Sequence, residues 1–508
     1  MRTFKSTALI LLASFFLFAL PGVVSAAGQG KIVIVQGVDV SSLDPQKASS
    51  SVDLNFFSTV FDGLLRRTGE NELSLNLAES YRNINPTTWE FKIRKGVFFH
   101  NGDSLTAADV AFSYSRTRKA NNPLRAFSTI RDVIAKDSYT VHIVTEKPDP
   151  ILPKRMAFAA YIVPEKYIRE KGDAYFAQHP IGTGRYKFVN RTVGESIELE
   201  ANDRYWGAKP ATVRTLVFKT IADPEKRVEA LKKGEAQVVA GVPPHAIADL
   251  QKYRELSVIS GPSGRVVYVG FNIIKPGNSP VSDKRIRQAI SHAIDREALV
   301  RDTLLGSGEI LATPLVPSVF GFDPSIPSHP YDPVKARELM AEAGYPKGFE
   351  IVLASPVGRY IRDRQVAEAI ADMLSKIGIK TSVKVYEWAA YMEAYESRQL
   401  EPLYLIGWGN TMYDADGVLV PLFSSGAHNS SYANPELDRL LNAARFEMDP
   451  EKRQALYRQS LLLIHDDVPG VFLYQQTENY GVSRNVRNFA PPAGSERKDC
   501  DTLELSGP

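Results

Sequence analysis

WEFKIRKGVFFHNGDSLTAADVAFS, Trp89 to Ser113, is the stretch on which the fold turns. Trp89, Phe91 and Ile93 alternate with Glu90, Lys92 and Arg94, the period-2 pattern of a strand with one buried face. Asn101-Gly102 supplies the positive φ angles of a tight turn. Thr106 then caps a helix, and Asp109, three residues on, sits beside the exposed N–H groups of its first turn. Strand, turn and capped helix make one fragment of a fold, which the flanking sequence extends.

Strands and helices alternate through most of the chain. KIVIVQ, Lys31 to Gln36, is a β-branched strand. Thr215 to Thr220 and Ala236 to Ala240 bracket a helix that begins at Asp223-Pro224 and stops near Gly234. Asp332-Pro333, Asn434-Pro435 and Asp449-Pro450 open further helices. In each pair the side-chain oxygen caps the first N–H groups and proline fits the first turn. Ser282 is expected to open another, with Ile286, Ile290, Ala293 and Ile294 on one face. Glu350 to Ala354, a helix to Ile377 and Lys380 to Tyr386 form a βαβ unit. The pattern predicts a mixed α/β architecture.

The N-terminus carries an export signal. Arg2 and Lys5 precede an apolar run from Ala8 to Leu20, Pro21-Gly22 breaks it, and Val24-Ser25-Ala26 is a small-residue cleavage site. The run is shorter than the about 20 residues of a transmembrane helix. No cysteine follows the site, which excludes lipid attachment there, so residues 1–26 are expected to be removed and the rest released into a periplasm. Their removal lowers the formal charge from +3 to +1, leaving no strong field for nucleic acid or anionic membrane. The length of 508 residues suggests about three domains at roughly 150 residues each. Cys500 is the only cysteine and forms no intramolecular disulfide; it is expected to be a partly covered tail residue.

The order of residues from Trp89 to Val110 resembles the signature of family 5 extracellular solute-binding proteins, W-x-F-x-L-R-x-G-V-x-F-H-D-G-x-x-[FL]-T-A-x-D-V, with Asn101 for the usual Asp. Other blocks share the resemblance: Leu43-Asp44-Pro45, Phe61-Asp62-Gly63-Leu64, Pro180 to Tyr186, Asn202 with Tyr205-Trp206, Gly270-Phe271-Asn272, Asp283 to Ala289, and Tyr331-Asp332-Pro333 with Glu342 to Tyr345. The resemblance implies a two-lobed periplasmic binding protein (type II, cluster C-like) with hinge strands and an extra domain. Domain I would be 27–65, 190–272 and 475–508, the extra domain II 66–189, and domain III, the second lobe, 273–474.

Candidate ligand residues centre on LIGWGNTMYDADGVL, Leu405 to Leu419. Trp408, flanked by glycines after an apolar strand, suits a cleft wall, offering a flat face and one N–H donor. Peptide carriers of the family place a carboxylate three residues after this Trp, against the ligand's α-ammonium; here that position is Thr411. Asp414 and Asp416 match a downstream pair, and the segment looks closer to the glutathione-binding subgroup. Arg359, between a strand and a helix, offers a planar donor fork for a carboxylate, with Arg362 and Arg364 as competitors. The resemblance adds Trp388 and Tyr268 as cleft-facing positions and Asn272 as a hinge residue.

No Walker loop, H-E-x-x-H, G-x-S-x-G or C-x-x-C appears, so no enzyme is expected. The eight histidines are dispersed, without the spacing of a local metal site. The resemblance therefore implies the substrate-binding component of an ABC importer. It would be a monomer without cofactor, catching a short peptide or peptide-like solute for an inner-membrane permease. The alternative is a glutathione-like compound, an opine, a saccharide conjugate, nickel or haem.

Overall fold

The structure, a computed structural model, describes residues 30–506 except 48–49, 69–71, 120–126, 128, 159, 210, 275–278, 411 and 490–499. The expected export signal and Thr411 therefore lie outside the described residues.

Two long antiparallel strands, Leu256–Phe271 and Gly470–Ser483, run through the middle of an 11-stranded sheet. Their register shifts between Pro262 and Val266. To one side of the shift the sheet continues through Val238–Ala240, Lys31–Gln36, Thr215–Thr220, Ser196–Ala201 and Tyr186–Thr192. To the other it continues through Leu403–Gly409, Phe349–Pro356 and Ile379–Tyr386, the last two parallel as the βαβ pattern predicts.

The central strands of each half of the sheet are buried on both faces, and the strand period assigns the residues. In the first lobe Ile32 and Ile34 join one core, while Val33 and Val35 point to a second core with Val228, Leu231 and Val242. In the second lobe Val267, Val269 and Phe271 pack with Leu403 and Leu405, whereas Val266 and Tyr268 pack with Tyr404 and Ile406. Two lobes with separate cores, joined through continuous strands, result.

The quoted segment lies in a separate four-stranded antiparallel sheet ordered Ala78–Asn85, Thr88–Ile93, Thr140–Thr145, Ile130–Asp137. Phe91, Ile93, Val141 and Ile143 share one core with Ala107, Val110 and Tyr114 of the helix Ala107–Lys119, and that core is continuous with the first lobe. Gly102 has φ +91°, as the turn requires. The Thr106 N–H and hydroxyl both donate to the Asp109 carboxylate, at 2.9 and 3.0 Å.

The dispersed blocks meet at one joint. The Gly182 N–H donates to His100 Nδ1 at 3.2 Å, and His100 Nε2 lies 3.0 Å from the Gly184 carbonyl. Thr183 and the Trp206 indole N–H donate to Asp62 at 2.9 and 3.1 Å, and Asn202 donates to Gly184 at 3.0 Å. A Cβ on Gly182 or Gly184 would fall 2.2 or 2.4 Å from the backbone oxygens of Val60 and Thr59. Only glycine fits that approach, which explains Gly182-Thr183-Gly184 without any phosphate-binding role.

Asp223, Asp332, Asn434 and Asp449 all cap their helices as expected. Ser282 does not: it ends a 3₁₀ turn, and the helix Lys284–Ala293 is capped by Asp283, whose carboxylate accepts from Arg285 N. A carboxylate is the stronger acceptor at a helix N-terminus. Cys500 is fully buried in the first-lobe core rather than partly covered.

Candidate functional site

Between the lobes lies a cleft of about 460 Å³. The first lobe contributes Gln36 to Val38, Asn55 from the helix Ser51–Val60, and the start of the helix Pro224–Lys232. The second lobe contributes the loop Val357 to Gln365, which follows the strand Phe349–Pro356. Gln476 and Glu478 reach it from the long strand Gly470–Ser483. The lobes touch at its rim, where a Cβ on Gly37 would fall 2.2 Å from the Gly358 carbonyl oxygen.

Asp363 shapes the second-lobe loop. Its buried carboxylate accepts the N–H groups of Gly358, Arg359 and Tyr360 at 3.3, 2.9 and 3.1 Å. Burial pushes its pKa up to about 6, against the opposing pull of those hydrogen bonds. On the first lobe, buried Arg227 donates to the carbonyls of Ile221 and Ala222 at 2.8 Å, Ala240 at 3.1 Å and Gly241 at 3.2 Å. Burial lowers its guanidinium to about 10, and nearby Asp363 acts in the opposite sense.

Arg359 and Trp388 come together. The Arg359 guanidinium lies 5.0 Å from the Trp388 ring and 5.2 Å from the Tyr360 ring, a cation held between two aromatic faces. Trp388, the first residue of the helix Trp388–Glu396, packs against the cores of both lobes. Arg362 and Arg364 also line the cleft, with Arg362 at φ +54° and Arg364 paired to Glu368 at 2.8 Å.

The remaining sequence candidates stand elsewhere. Trp408 lies on the strand Leu403–Gly409, half-buried against the second-lobe core, and its indole N–H donates to the Gly417 carbonyl at 3.3 Å. Tyr268 is buried in that same core, 5.8 Å from the Phe472 ring. Asn272 stands at the far end of its strand, away from the register shift, and donates to Leu400 and Arg398 carbonyls at 3.0 and 3.3 Å. It therefore anchors a turn, where the sequence suggested a hinge.

The aspartate pair differs most from expectation. Asp414 receives Arg453 at 2.8 and 2.5 Å. Asp416, 1% exposed, receives Arg445 at 2.8 Å and Arg155 at 2.7 Å, and Arg155 also donates to Asp149 at 2.9 Å. Burial raises the Asp416 pKa, but Arg155 and Arg445 outweigh it and hold the carboxyl below the usual carboxylate range. These carboxylates are paired with Arg155, Arg453 and the partly exposed Arg445. Because Arg155 lies on the helix Leu152–Ala157, whose buried Leu152 and Ala157 belong to the core shared by the first lobe and the four-stranded sheet, the network ties that part of the molecule to the second lobe. Arg67 lies over Tyr413 at 4.4 Å and Lys147 over Phe446 at 4.9 Å in that same contact.

Sequence reasoning missed Gln36, Asn55, Arg227, Asp363, Gln476 and Glu478 in the cleft. A signal existed for one: Gln475-Gln476 interrupts the apolar run Val471 to Tyr474. Among the described residues no group of three or more His, Cys, Asp or Glu is placed to hold a metal ion, and no helix is long and apolar enough to cross a membrane.

The sequence model of the bacterial extracellular solute-binding proteins, family 5 Middle, matches residues 72–430. The chain is 29% identical to the dipeptide-binding protein of Escherichia coli, covering 86% of this chain and 88% of that protein. It is 28% identical to the glutathione-binding protein GsiB of Pectobacterium atrosepticum, over 93% of this chain and 94% of that one. In structure it resembles the ABC transporter-associated periplasmic binding protein DppA of Helicobacter pylori, solved with the peptide STSA. The TM-score is 0.87 and the identity 24%, over 95% of this chain and 99% of that one.

Proposed function

We propose that this chain, which belongs to the bacterial extracellular solute-binding proteins of family 5, captures a short peptide or peptide-like solute between its lobes and delivers it to an inner-membrane ABC permease. One observation carries the reading: the cleft takes residues from both lobes and from Gly470–Ser483, one of the two strands that join them, so a bound molecule would bridge the halves. A ligand that contacts both lobes favours the shut arrangement by its extra contacts there. We put the crossing at 262–266 and 475–477, so that 267–272 belong to the second lobe. Arg359, braced by Trp388, serves as clamp for a ligand carboxylate. The cleft volume falls toward the lower end of small-molecule sites, which suits a small solute. In this reading the protein catalyses nothing, acts as a monomer in the periplasm after cleavage near Ala26, and draws energy from the transporter's ATPase.

The state of Asp414 and Asp416 favours a second reading. With both committed to arginines, a buried α-ammonium lacks the carboxylate that peptide carriers offer near Trp408. Either another carboxylate meets it, and Glu478 lines the cleft, or the ligand carries no free ammonium there, as in an opine, a glutathione-like compound or a saccharide conjugate. Calorimetry with a dipeptide and its N-acetylated form separates these: selective loss on acetylation supports the peptide, and equal or absent binding supports the conjugate. No heat from either, nor from glutathione, would count against the reading.

A further inference from the structure

We propose that the cleft selects a small, strongly polar solute over an apolar peptide, and that Gln476 is a specificity-determining residue whose side-chain oxygen accepts a hydrogen bond from an N–H or O–H of that solute. The inference rests on the solute-capture reading and narrows its ligand class.

Gln476 lies on the long strand Gly470–Ser483 and pairs across to Gly308. It is 5% exposed and lines the cleft, and its Oε1 is buried without a hydrogen-bond partner in the protein. Buried acceptors are nearly always paired, because an unpaired one forfeits its hydration with nothing in return. An aliphatic residue here would avoid that penalty and would continue the apolar run Val471 to Tyr474. A glutamine is advantageous where a donor arrives from within the cleft. Glu478, two residues on, lines the same cleft, as the period-2 geometry of a strand allows.

The rest of the lining points the same way. Gln36 and Asn55, 5% and 3% exposed, bring two more buried carboxamides from the first lobe. A carboxamide offers both donors and an acceptor, which suits hydroxyl, amide and carboxylate groups of a ligand. Tyr360 is the one tyrosine among the described lining residues, and its ring already carries Arg359 at 5.2 Å and Arg265 at 5.1 Å. Among the described residues the apolar lining is otherwise made of Gly, Ala, Val and Pro with Ile361, and holds no Leu, Met, Phe or Trp. A site built to hydrogen-bond its ligand rejects analogues that lack the donor, because its own buried groups are then left unpaired.

The test is calorimetric titration of ligand-stripped protein, wild type and Gln476→Leu, with glutathione, glycyl-glutamine, a fructosyl amino acid and methionyl-leucine. At least one polar probe should bind more tightly than methionyl-leucine. Gln476→Leu should weaken that probe by roughly tenfold to a hundredfold and methionyl-leucine far less. The ligand-free melting temperature of Gln476→Leu should equal or exceed that of wild type, since an unpaired acceptor has been removed. Gln476→Glu keeps an acceptor at the same reach and should retain polar-probe binding within severalfold. Tighter binding of methionyl-leucine to wild type, or unchanged affinities in Gln476→Leu, overturns the polar-solute assignment while solute capture stands. No heat and no change in radius of gyration with any of the four overturns both.

Discussion

Asp416→Asn tests the role of the aspartate pair. The substitution keeps shape and one acceptor oxygen but removes the charge that two arginines share. Breaking one side of a buried pair typically costs 3–5 kcal/mol, because the partner is left uncompensated. Two features reduce that here. Arg155 keeps Asp149 at 2.9 Å, and Arg445, 15% exposed, can recover water. The expected loss is therefore about 2–3 kcal/mol at pH 7, read as a lower urea midpoint. Its pH dependence follows from the shift: a carboxyl held below its unfolded value contributes stability above about pH 4 and loses it as pH falls further. The gap between wild type and variant should therefore narrow at pH 3. The pair also joins the lobes, so affinity should drop equally for a peptide and its N-acetylated form. A stability loss under about 1 kcal/mol, with affinity lost only for the free amine, would refute the structural role and restore Asp416 as the ammonium partner.

Arg359→Ala should weaken a carboxylate-bearing ligand by roughly tenfold to a hundredfold in calorimetry while leaving the urea midpoint nearly in place; equal affinity moves the clamp to Arg362 or Arg364. Trp388→Phe should abolish most of the ligand-induced change in tryptophan emission, since Trp388 packs against both lobes; persistence of the signal, and its loss in Trp408→Phe, would assign it to the other indole. His100 accepts Gly182 N–H at Nδ1, so its neutral ring donates from Nε2 to Gly184. Burial, with help from Lys187, lowers its pKa to about 4, so the unfolded chain binds the proton first and stability falls as pH drops from about 6.5 to 4. The contribution is about 2–3 kcal/mol, and urea midpoints at pH 7 and 5 should converge in His100→Gln.

The fold was legible because its signals are local. Strand alternation in Trp89 to Ile93, the turn at Gly102 and the Asp-Pro and Asn-Pro caps each act within a few residues, and the structure keeps them, although Asn101 does not share the positive φ of Gly102. Ser282 failed because two capping residues stood side by side and spacing alone could not rank them. Several blocks that carry the family resemblance build a joint: Thr183 and Trp206 donate to Asp62, and His100 bonds the backbone of Gly182 and Gly184. They identify the scaffold and are silent about its cargo. Of the cleft lining, the sequence singled out only arginines, Arg359 with Arg362 and Arg364, because that residue type announces its chemistry. Gln476 meets Gln36 and Asn55 from more than four hundred residues away, and a carboxamide in sequence looks the same whether it faces water or a ligand. Asp414 and Asp416 misled for the converse reason, since their arginine partners at 155, 445 and 453 are distant in the chain.

In the proposed function the two lobes close on a small solute held against the strand Gly470–Ser483. Small-angle scattering of the stripped protein, before and after saturation with the solute that copurifies with it, tests this most directly. The radius of gyration should be smaller with solute, as the faces around Gly37 and Gly358 come together. A radius unchanged at saturation would contradict it.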